Sequence, residues 1–312
     1  LIYTLYGGLR ASLFTDNIQF IIFGLLLLIV FSNLTSFNSS EFNFDYISQN
    51  KPHLLSAKYL PNFTAGLTFF IAVAATNLFH QGNWQRVYAA KNGEVLKKSL
   101  IFSFLIILPI IFLMGFSGLI AVSQNETVIP DLAFFSLILK EEGIQLSIII
   151  IILAISLTVS SIDTLINAIS SLIIVDGNKI FNVKKNYLKF SKHIMIFLSI
   201  IAFLIASKGL SILYLFLLAD LLCCAAVMSV FYGFYNKKFS EEKSYVSIIF
   251  GLIMGLLLFP SPDFSKSILV GIIFPTNMFP DLISQSLLFS SFIIATFAPL
   301  IVWKIKDYGI RN

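Results

Sequence analysis

One segment of the sequence, residues 148–176, is long and apolar enough to cross a lipid bilayer but also carries a row of polar side chains. The polar residues recur at intervals of three and four, so on a helix they share one face. They are Ser156, Ser160, Asp163, Thr164, Asn167 and Ser171. A charge at mid-membrane costs roughly 2.5 to 3.5 kcal/mol, so we expect Asp163 to face protein, water or an ion. The segment is therefore predicted to form one wall of a cation-binding site.

Apolar runs of similar length recur along the whole chain. Hydrophobic residues make up 57% of the sequence and charged residues only 12%, and the helices would be apolar all round rather than on one face. This pattern predicts an all-α polytopic membrane protein with about eight transmembrane helices, embedded in a lipid bilayer and binding no nucleic acid. The predicted spans are 12–33, 64–82, 99–123, 147–175, 191–207, 210–235, 245–259 and 283–303.

The basic residues are sorted by side of the membrane. If the chain begins in the cytoplasm, 16 of the 21 lysines and arginines fall on cytoplasmic segments. The other five are Lys51, Lys58, Lys140, Lys208 and Lys266. This imbalance matches the positive-inside rule, and with an even number of spans it places both termini in the cytoplasm. We expect an integral protein of the plasma membrane, a bacterial inner membrane.

The second predicted span changes abruptly from apolar to polar after Ala75. Irregular backbone at membrane depth is tolerated where it lines a cavity, and broken helices form substrate sites in many transporters. Asn77, His80 and Gln81 are therefore candidate substrate-binding residues. The alternative is that the helix ends near Asn77 and that the following residues, including Arg86, lie among the lipid headgroups.

Two acids lie inside other predicted spans. Asp220 is about ten residues from either end of its span, too deep for its side chain to reach water, so it is a candidate for contact with a cationic or amide-bearing substrate. The alternative is a buried hydrogen bond between helices. Asp16 precedes Gln19 by three residues at the start of the first span, and could instead be a simple helix N-cap.

Four stretches, taken together and in this order, resemble the sodium/solute symporter family, which includes sodium-coupled transporters of proline, sugars, sialic acid, pantothenate and urea. They are YTLYGGLRASLFTDNIQ, NWQRVYAAK, PDLAFFSLI and SLTVSSIDTLINAISSLIIVD. The resemblance implies a partial leucine-transporter-type inverted-repeat fold, in which two halves rock around a site near the bilayer midplane. It also implies that the first four core helices are missing from this chain, which would be a fragment. Residues 1–235 would then be the fifth to tenth core helices, and residues 236–312 peripheral helices.

The resemblance assigns roles to individual residues. Ser160 and Ser161 match the paired hydroxyl residues that help to bind the coupling sodium, and Na⁺, as a hard cation, prefers oxygen ligands. Asp16 matches an acid that in some members contributes to a second cation site, which Ser160, Asp163 and Thr164 would complete. Many relatives have a small or hydroxyl residue in place of Asp163. Two carboxylates at one site can also share a proton, so coupling to H⁺ stays open.

The predicted function is sodium-coupled symport of a small polar solute, such as an amino acid, urea, a sugar or a carboxylate, by alternating access. The chain is not expected to be an enzyme. The alternatives are a proton-coupled symporter, the membrane sensor module of a signalling protein, and a channel with the same cation-binding wall.

Overall fold

The computed structural model describes residues 13–22, 24–25, 28, 32, 43–124, 132–133, 144–181, 187–236 and 239–304. These residues form twelve helices, with short 3₁₀ turns at Pro52–Leu55 and Thr276–Met278 and only isolated β-bridges in the part described. In chain order the helices are α1 (13–22), α2 (Phe44–Asn50), α3 (Leu60–Phe79), α4 (Gln81–Ala89), α5 (Gly93–Gln124), α6 (Ile144–Phe181), α7 (Tyr187–Ala206), α8 (Ile212–Tyr235), α9 (Glu241–Leu258), α10 (Asp281–Gln285), α11 (Leu287–Phe297) and α12 (Pro299–Lys304).

Six helical segments of the described chain are long and apolar enough to cross a membrane. They are Leu60–Phe79, Gly93–Gln124, Ser147–Gly177, Lys189–Ala206, Ile212–Tyr235 and Leu287–Lys304. An all-α polytopic membrane protein is therefore confirmed. Of the other two predicted spans, 12–33 lies only partly within the described residues, and 245–259 falls in α9, whose first three residues are charged.

The chain divides into two compact units, Leu1–Asn50 with Gln81–Gly209, and Lys51–His80 with Leu210–Asn312. In the first unit, α6 packs against α4 and α7, and α2 packs against α5. Helix α6 has 38 residues, so at 1.5 Å per residue it extends well beyond a hydrocarbon core of about 30 Å.

In the second unit, α8 packs against α3, α9, α11 and α12. Small residues bring these helices close together. A Cβ atom added at Gly251 would lie 2.8 Å from the carbonyl oxygen of Ala295, and one at Gly255 would lie 2.8 Å from the Ala295 Cβ. The Ser291 hydroxyl donates a 2.8 Å hydrogen bond to the carbonyl oxygen of Gly255. These contacts are typical of membrane helices that pack through small residues.

Candidate functional site

The Asp16 side chain lies inside helix α1. Residues 13–22 are helical, so the helix begins before Asp16 and the carboxylate is not its N-cap. Only 19% of the side chain is exposed. A carboxylate held mostly away from water in an apolar segment needs hydrogen-bond donors or a cation, because an unpaired buried charge is costly.

Arg86 supplies that cation. Its Nη2 atom lies 2.6 Å from Asp16 Oδ2 and also donates a 3.0 Å hydrogen bond to the Thr164 hydroxyl. The Nη1 atom donates to the carbonyl oxygen of Gly82, one turn earlier on α4, at 3.2 Å. The guanidinium group is thus held by three oxygens, and it carries the positive charge that balances Asp16.

Helix α6 presents two of its hydroxyl residues to this ion pair. Ser160 donates a 3.0 Å hydrogen bond to Asp16 Oδ1, and Thr164 follows four residues later on the same helical face. Ser161, the next residue, is exposed. The side chain of Asp163, which the sequence places at the same site, lies outside the described residues.

The donor set of this cluster fits a hard monovalent cation. Asp16, Ser160 and Thr164 provide a carboxylate and two hydroxyl oxygens, the ligand type that such cations prefer. The side-chain oxygen of Gln19, three residues after Asp16 on α1, is buried and has no hydrogen-bond partner among the described residues. Arg86 occupies one side of the carboxylate, so a bound cation would compete with the guanidinium group.

Beyond this cluster, the polar face of α6 also contacts α4. Gln85 donates hydrogen bonds to the Ser171 hydroxyl at 2.5 Å and to the Asn167 carbonyl at 3.4 Å. A cavity of about 530 Å³ opens beside these contacts. Its polar lining residues are Gln81, Gln85, Tyr88, Asn167, Ser170, Ser171 and Asp176.

The break predicted in the second span is at His80. Helix α3 ends at Phe79, His80 has an extended backbone with φ −73° and ψ 97°, and α4 begins at Gln81. Of the candidate substrate residues, Gln81 lines the cavity described above, whereas the Asn77 amide donates a 2.8 Å hydrogen bond to the Val73 carbonyl on its own helix.

The fourth candidate, Asp220, lies in the core of the second unit. Its side chain accepts a short hydrogen bond from the Thr76 hydroxyl of α3. The residue is 1% exposed, and its Oδ2 atom has no partner in the described part of the chain. Contact of Asp220 with a solute stays a prediction.

A model of the sodium:solute symporter family matches residues 1–251 of the chain. The chain belongs to this family. It is also similar to the spermidine transporter DUR31 of Candida albicans (strain SC5314 / ATCC MYA-2876), with 28% identity over 265 residues. This match covers 83% of the chain and 49% of the relative, so the chain spans about half the length of that curated relative. No solved structure matches the chain.

The match to the symporter family includes every residue of the Asp16 cluster. Two functional candidates that the sequence did not reveal are Arg86 and Gln85, because both follow Trp84 in a stretch that also reads as an interfacial anchor. The available signal was charge balance: a lone acid in an apolar segment requires a cation, and Arg86 is the first basic residue after the polar stretch. Thr76 was visible as a polar residue, but nothing in the sequence paired it with Asp220.

Proposed function

We propose that the chain is part of a secondary active transporter that moves a small polar solute on a sodium gradient by alternating access. Membership of the sodium:solute symporter family supports the transport class, and the Asp16 cluster supports cation coupling. Residues 1–235 would supply core helices and 236–312 peripheral ones. The distribution of basic residues supports a cytoplasmic location for both ends of the chain in a plasma membrane.

The observation that carries this proposal is the shared carboxylate of Asp16. One oxygen contacts the Arg86 guanidinium group at 2.6 Å, and the other accepts a hydrogen bond from Ser160 at 3.0 Å. A carboxylate that already holds a tethered cation is suited to exchange it for a free one, since the charge at the site stays balanced in both states.

In the proposed cycle, Na⁺ enters beside Asp16 and the guanidinium group withdraws toward the Gly82 carbonyl, which it already contacts. Ser160 then turns its lone pair toward the ion, and Thr164, released from Arg86, becomes a further ligand. By the family resemblance, Ser161 and Asp163 would complete the two cation sites. When Na⁺ leaves, Arg86 returns and restores the ion pair.

The cavity beside α4 and α6 is proposed to contact the solute. Its volume of about 530 Å³ lies in the range of small-molecule sites, and its lining combines amides and hydroxyls with one carboxylate, Asp176. That lining suits solutes rich in hydrogen-bond donors, such as amides and organic ammonium ions. The spermidine transporter relative supports including a polyamine among the candidates. Asn77 and His80, close to the helix break, remain proposed substrate-binding residues.

Uptake by the full-length protein in proteoliposomes tests this proposal. Vesicles are given an inward sodium gradient and a panel of labelled proline, urea, sugars, carboxylates and spermidine, and then the same panel under a potassium gradient. We expect one class of solute to accumulate above equilibrium only with sodium. Equal accumulation under both gradients would contradict sodium coupling.

Proton coupling is the second candidate. The chain offers a second acid, Asp163, within one helical turn of Ser160, and two neighbouring carboxylates can share a proton. Uptake at fixed sodium should then change its pH profile in Asp163→Ser. An unaltered pH profile would contradict binding of the coupled proton by Asp163.

A further inference from the structure

The carboxylate of Asp220 has too few partners for a buried charge. It accepts one hydrogen bond, from Thr76, while its Oδ2 atom is buried without a partner among the described residues. The two ion pairs of the described chain, Arg86 with Asp16 and Lys98 with Glu94, both lie in the other unit. An ionised carboxylate in this position would leave a charge without compensation in an apolar core.

The neighbours of Asp220 are apolar or weakly polar. On its own helix Leu217, Leu221 and Cys224 are fully buried, and Ala72 and Ala75 of α3 belong to the same core cluster. Two ionisable groups that interact electrostatically with Asp220 are the thiols of Cys223 and Cys224. Neither thiol can supply a positive charge.

Among the described residues, the ionisable groups of the packed helices, apart from the two thiols, lie at or near the ends of those helices. Helix α11 has no ionisable residue, and the ionisable residues of α9 lie within its first five positions, about 15 Å along the axis from Gly255, which packs against Leu221. Helix α12 has one, at its last residue, and on α3 the nearest is the C-terminal cap, one turn beyond Thr76. These groups, with the tyrosines of α8, are Glu241, Glu242, Lys243, Tyr245, Lys304, His80, Tyr214, Tyr232 and Tyr235.

Thr76 departs from the usual behaviour of a threonine in a helix. The hydroxyls of Thr68, Thr158 and Thr296 each donate to the carbonyl oxygen four residues earlier, at 2.7 to 2.8 Å. The Thr76 hydroxyl instead donates to Asp220. The same hydroxyl could return to the Ala72 carbonyl, four residues earlier, if the carboxyl group itself became the donor.

We propose that Asp220 and Thr76 form a proton-binding site in the core of the second unit, with Asp220 held as the neutral acid at neutral pH. The proton is taken from water and returned to water. With the proton bound, the Asp220 O–H donates to Thr76 Oγ1, and the Thr76 hydroxyl donates to the Ala72 carbonyl. With the proton released, the Thr76 hydroxyl donates to the carboxylate, so the hydrogen bond between the two side chains reverses direction and the one to the Ala72 carbonyl is broken.

Space favours a proton over an organic cation or a metal ion. Asp220 lines neither the cavity of about 610 Å³ nor that of about 190 Å³ in its unit. A proton is the cation that needs no cavity, and a neutral acid leaves only an unpaired carbonyl oxygen in the core, which costs far less than an unpaired charge. This site is thus proposed to bind a proton, whereas the residues around Asp16 are proposed to bind sodium.

Infrared spectroscopy of the purified full-length protein tests the site directly. A protonated carboxyl group gives a C=O stretching band that an ionised carboxylate lacks, and isotopic labelling of aspartate shifts that band. At neutral pH we expect an aspartic acid band in the wild type that is lost in Asp220→Asn. The exposed carboxylate Asp45 provides the control, since Asp45→Asn should leave the band in place.

A wild-type spectrum without a protonated aspartic acid band, or a band of equal intensity in wild type and Asp220→Asn, would overturn the proposal. If the asparagine variant does not accumulate in the membrane, Asp220→Glu retains a carboxyl group and should remove the labelled aspartate band while adding a glutamic acid band. An unchanged aspartate band in that variant would overturn the proposal equally. Because the spectra are recorded without sodium or solute, the result does not depend on the proposed symport.

Discussion

Replacement of Arg86 by glutamine should increase the apparent affinity of the transporter for sodium. In the structure the guanidinium group occupies one oxygen of Asp16 at 2.6 Å, so a cation has to displace it before it can bind the carboxylate fully. Glutamine keeps much of the length of the side chain and its hydrogen-bonding capacity but removes the competing charge.

The expected magnitude follows from the exposure of the pair. A hydrogen bond between charged groups contributes about 1.5 to 3 kcal/mol, and we take the lower end because 37% of the Arg86 side chain and 19% of the Asp16 side chain are exposed. About 1.4 kcal/mol corresponds to a tenfold change in affinity. The sodium concentration for half-maximal uptake should therefore fall about tenfold in Arg86→Gln.

The assay is solute uptake by proteoliposomes over a range of sodium concentrations, together with sodium-dependent thermal stabilisation of the purified protein. Lys98→Gln is the matched control, because the Lys98–Glu94 pair has a similar length of 2.7 Å but side chains that are 76% and 73% exposed. That control should leave the sodium dependence unchanged. A half-saturation that is unchanged or raised in Arg86→Gln, in a variant that still transports, would refute the competition between Arg86 and sodium.

Three further predictions test other parts of the structure. Ser160→Ala removes a donor to Asp16 and a proposed sodium ligand, so the sodium half-saturation of uptake should rise about fivefold, corresponding to about 1 kcal/mol; an unchanged value would remove Ser160 from the site. Gly251→Ala should destabilise the detergent-purified protein by about 1 to 3 kcal/mol, because the new Cβ atom would lie 2.8 Å from the Ala295 carbonyl oxygen. Gly66→Ala should not destabilise it, since an added Cβ atom there has no neighbour within 4 Å. Equal effects of the two substitutions on thermal stability would argue against close packing of α9 and α11. Hydrogen bonds from Ser261 and Ser265 lower the pKa of Asp263 to about 2, below its value in an unfolded chain. The Ser265 amide, which donates to this carboxylate, should therefore be protected from hydrogen exchange above pH ~4, and the protection should be lost as the pH falls toward ~2. Loss of protection already near neutral pH would contradict this prediction.

The fold class could be predicted from the sequence because hydropathy and helix length are local properties. Apolar runs mark the spans directly, and the spacing of polar residues on 148–176 places Ser160 and Thr164 on one helical face before any partner is known. Helix α6 nevertheless continues to Phe181, beyond the predicted end of the span at 175. Hydropathy detects where a helix leaves the apolar layer, but it does not detect where hydrogen bonding along the backbone stops.

The partners of Asp16 and Asp220 could not be predicted, since they depend on how distant helices pack. Arg86 lies 70 residues from Asp16, and Thr76 lies 144 residues from Asp220. Locally, an arginine that follows a tryptophan at the end of an apolar run is the pattern of a headgroup anchor. Only the packing of α1, α4 and α6 turns that arginine into the counter-ion of Asp16.

The most direct test of sodium coupling is to measure the flux of labelled sodium and labelled solute in the same proteoliposomes. For the wild-type full-length protein, we predict that the solute stimulates sodium entry and sodium stimulates solute entry. In Asp16→Asn, which removes the carboxylate shared by Arg86 and Ser160, both stimulations should be lost while the protein remains folded. Solute-stimulated sodium entry that is equal in Asp16→Asn and wild type would contradict the assignment of Asp16 as a ligand of the coupling ion.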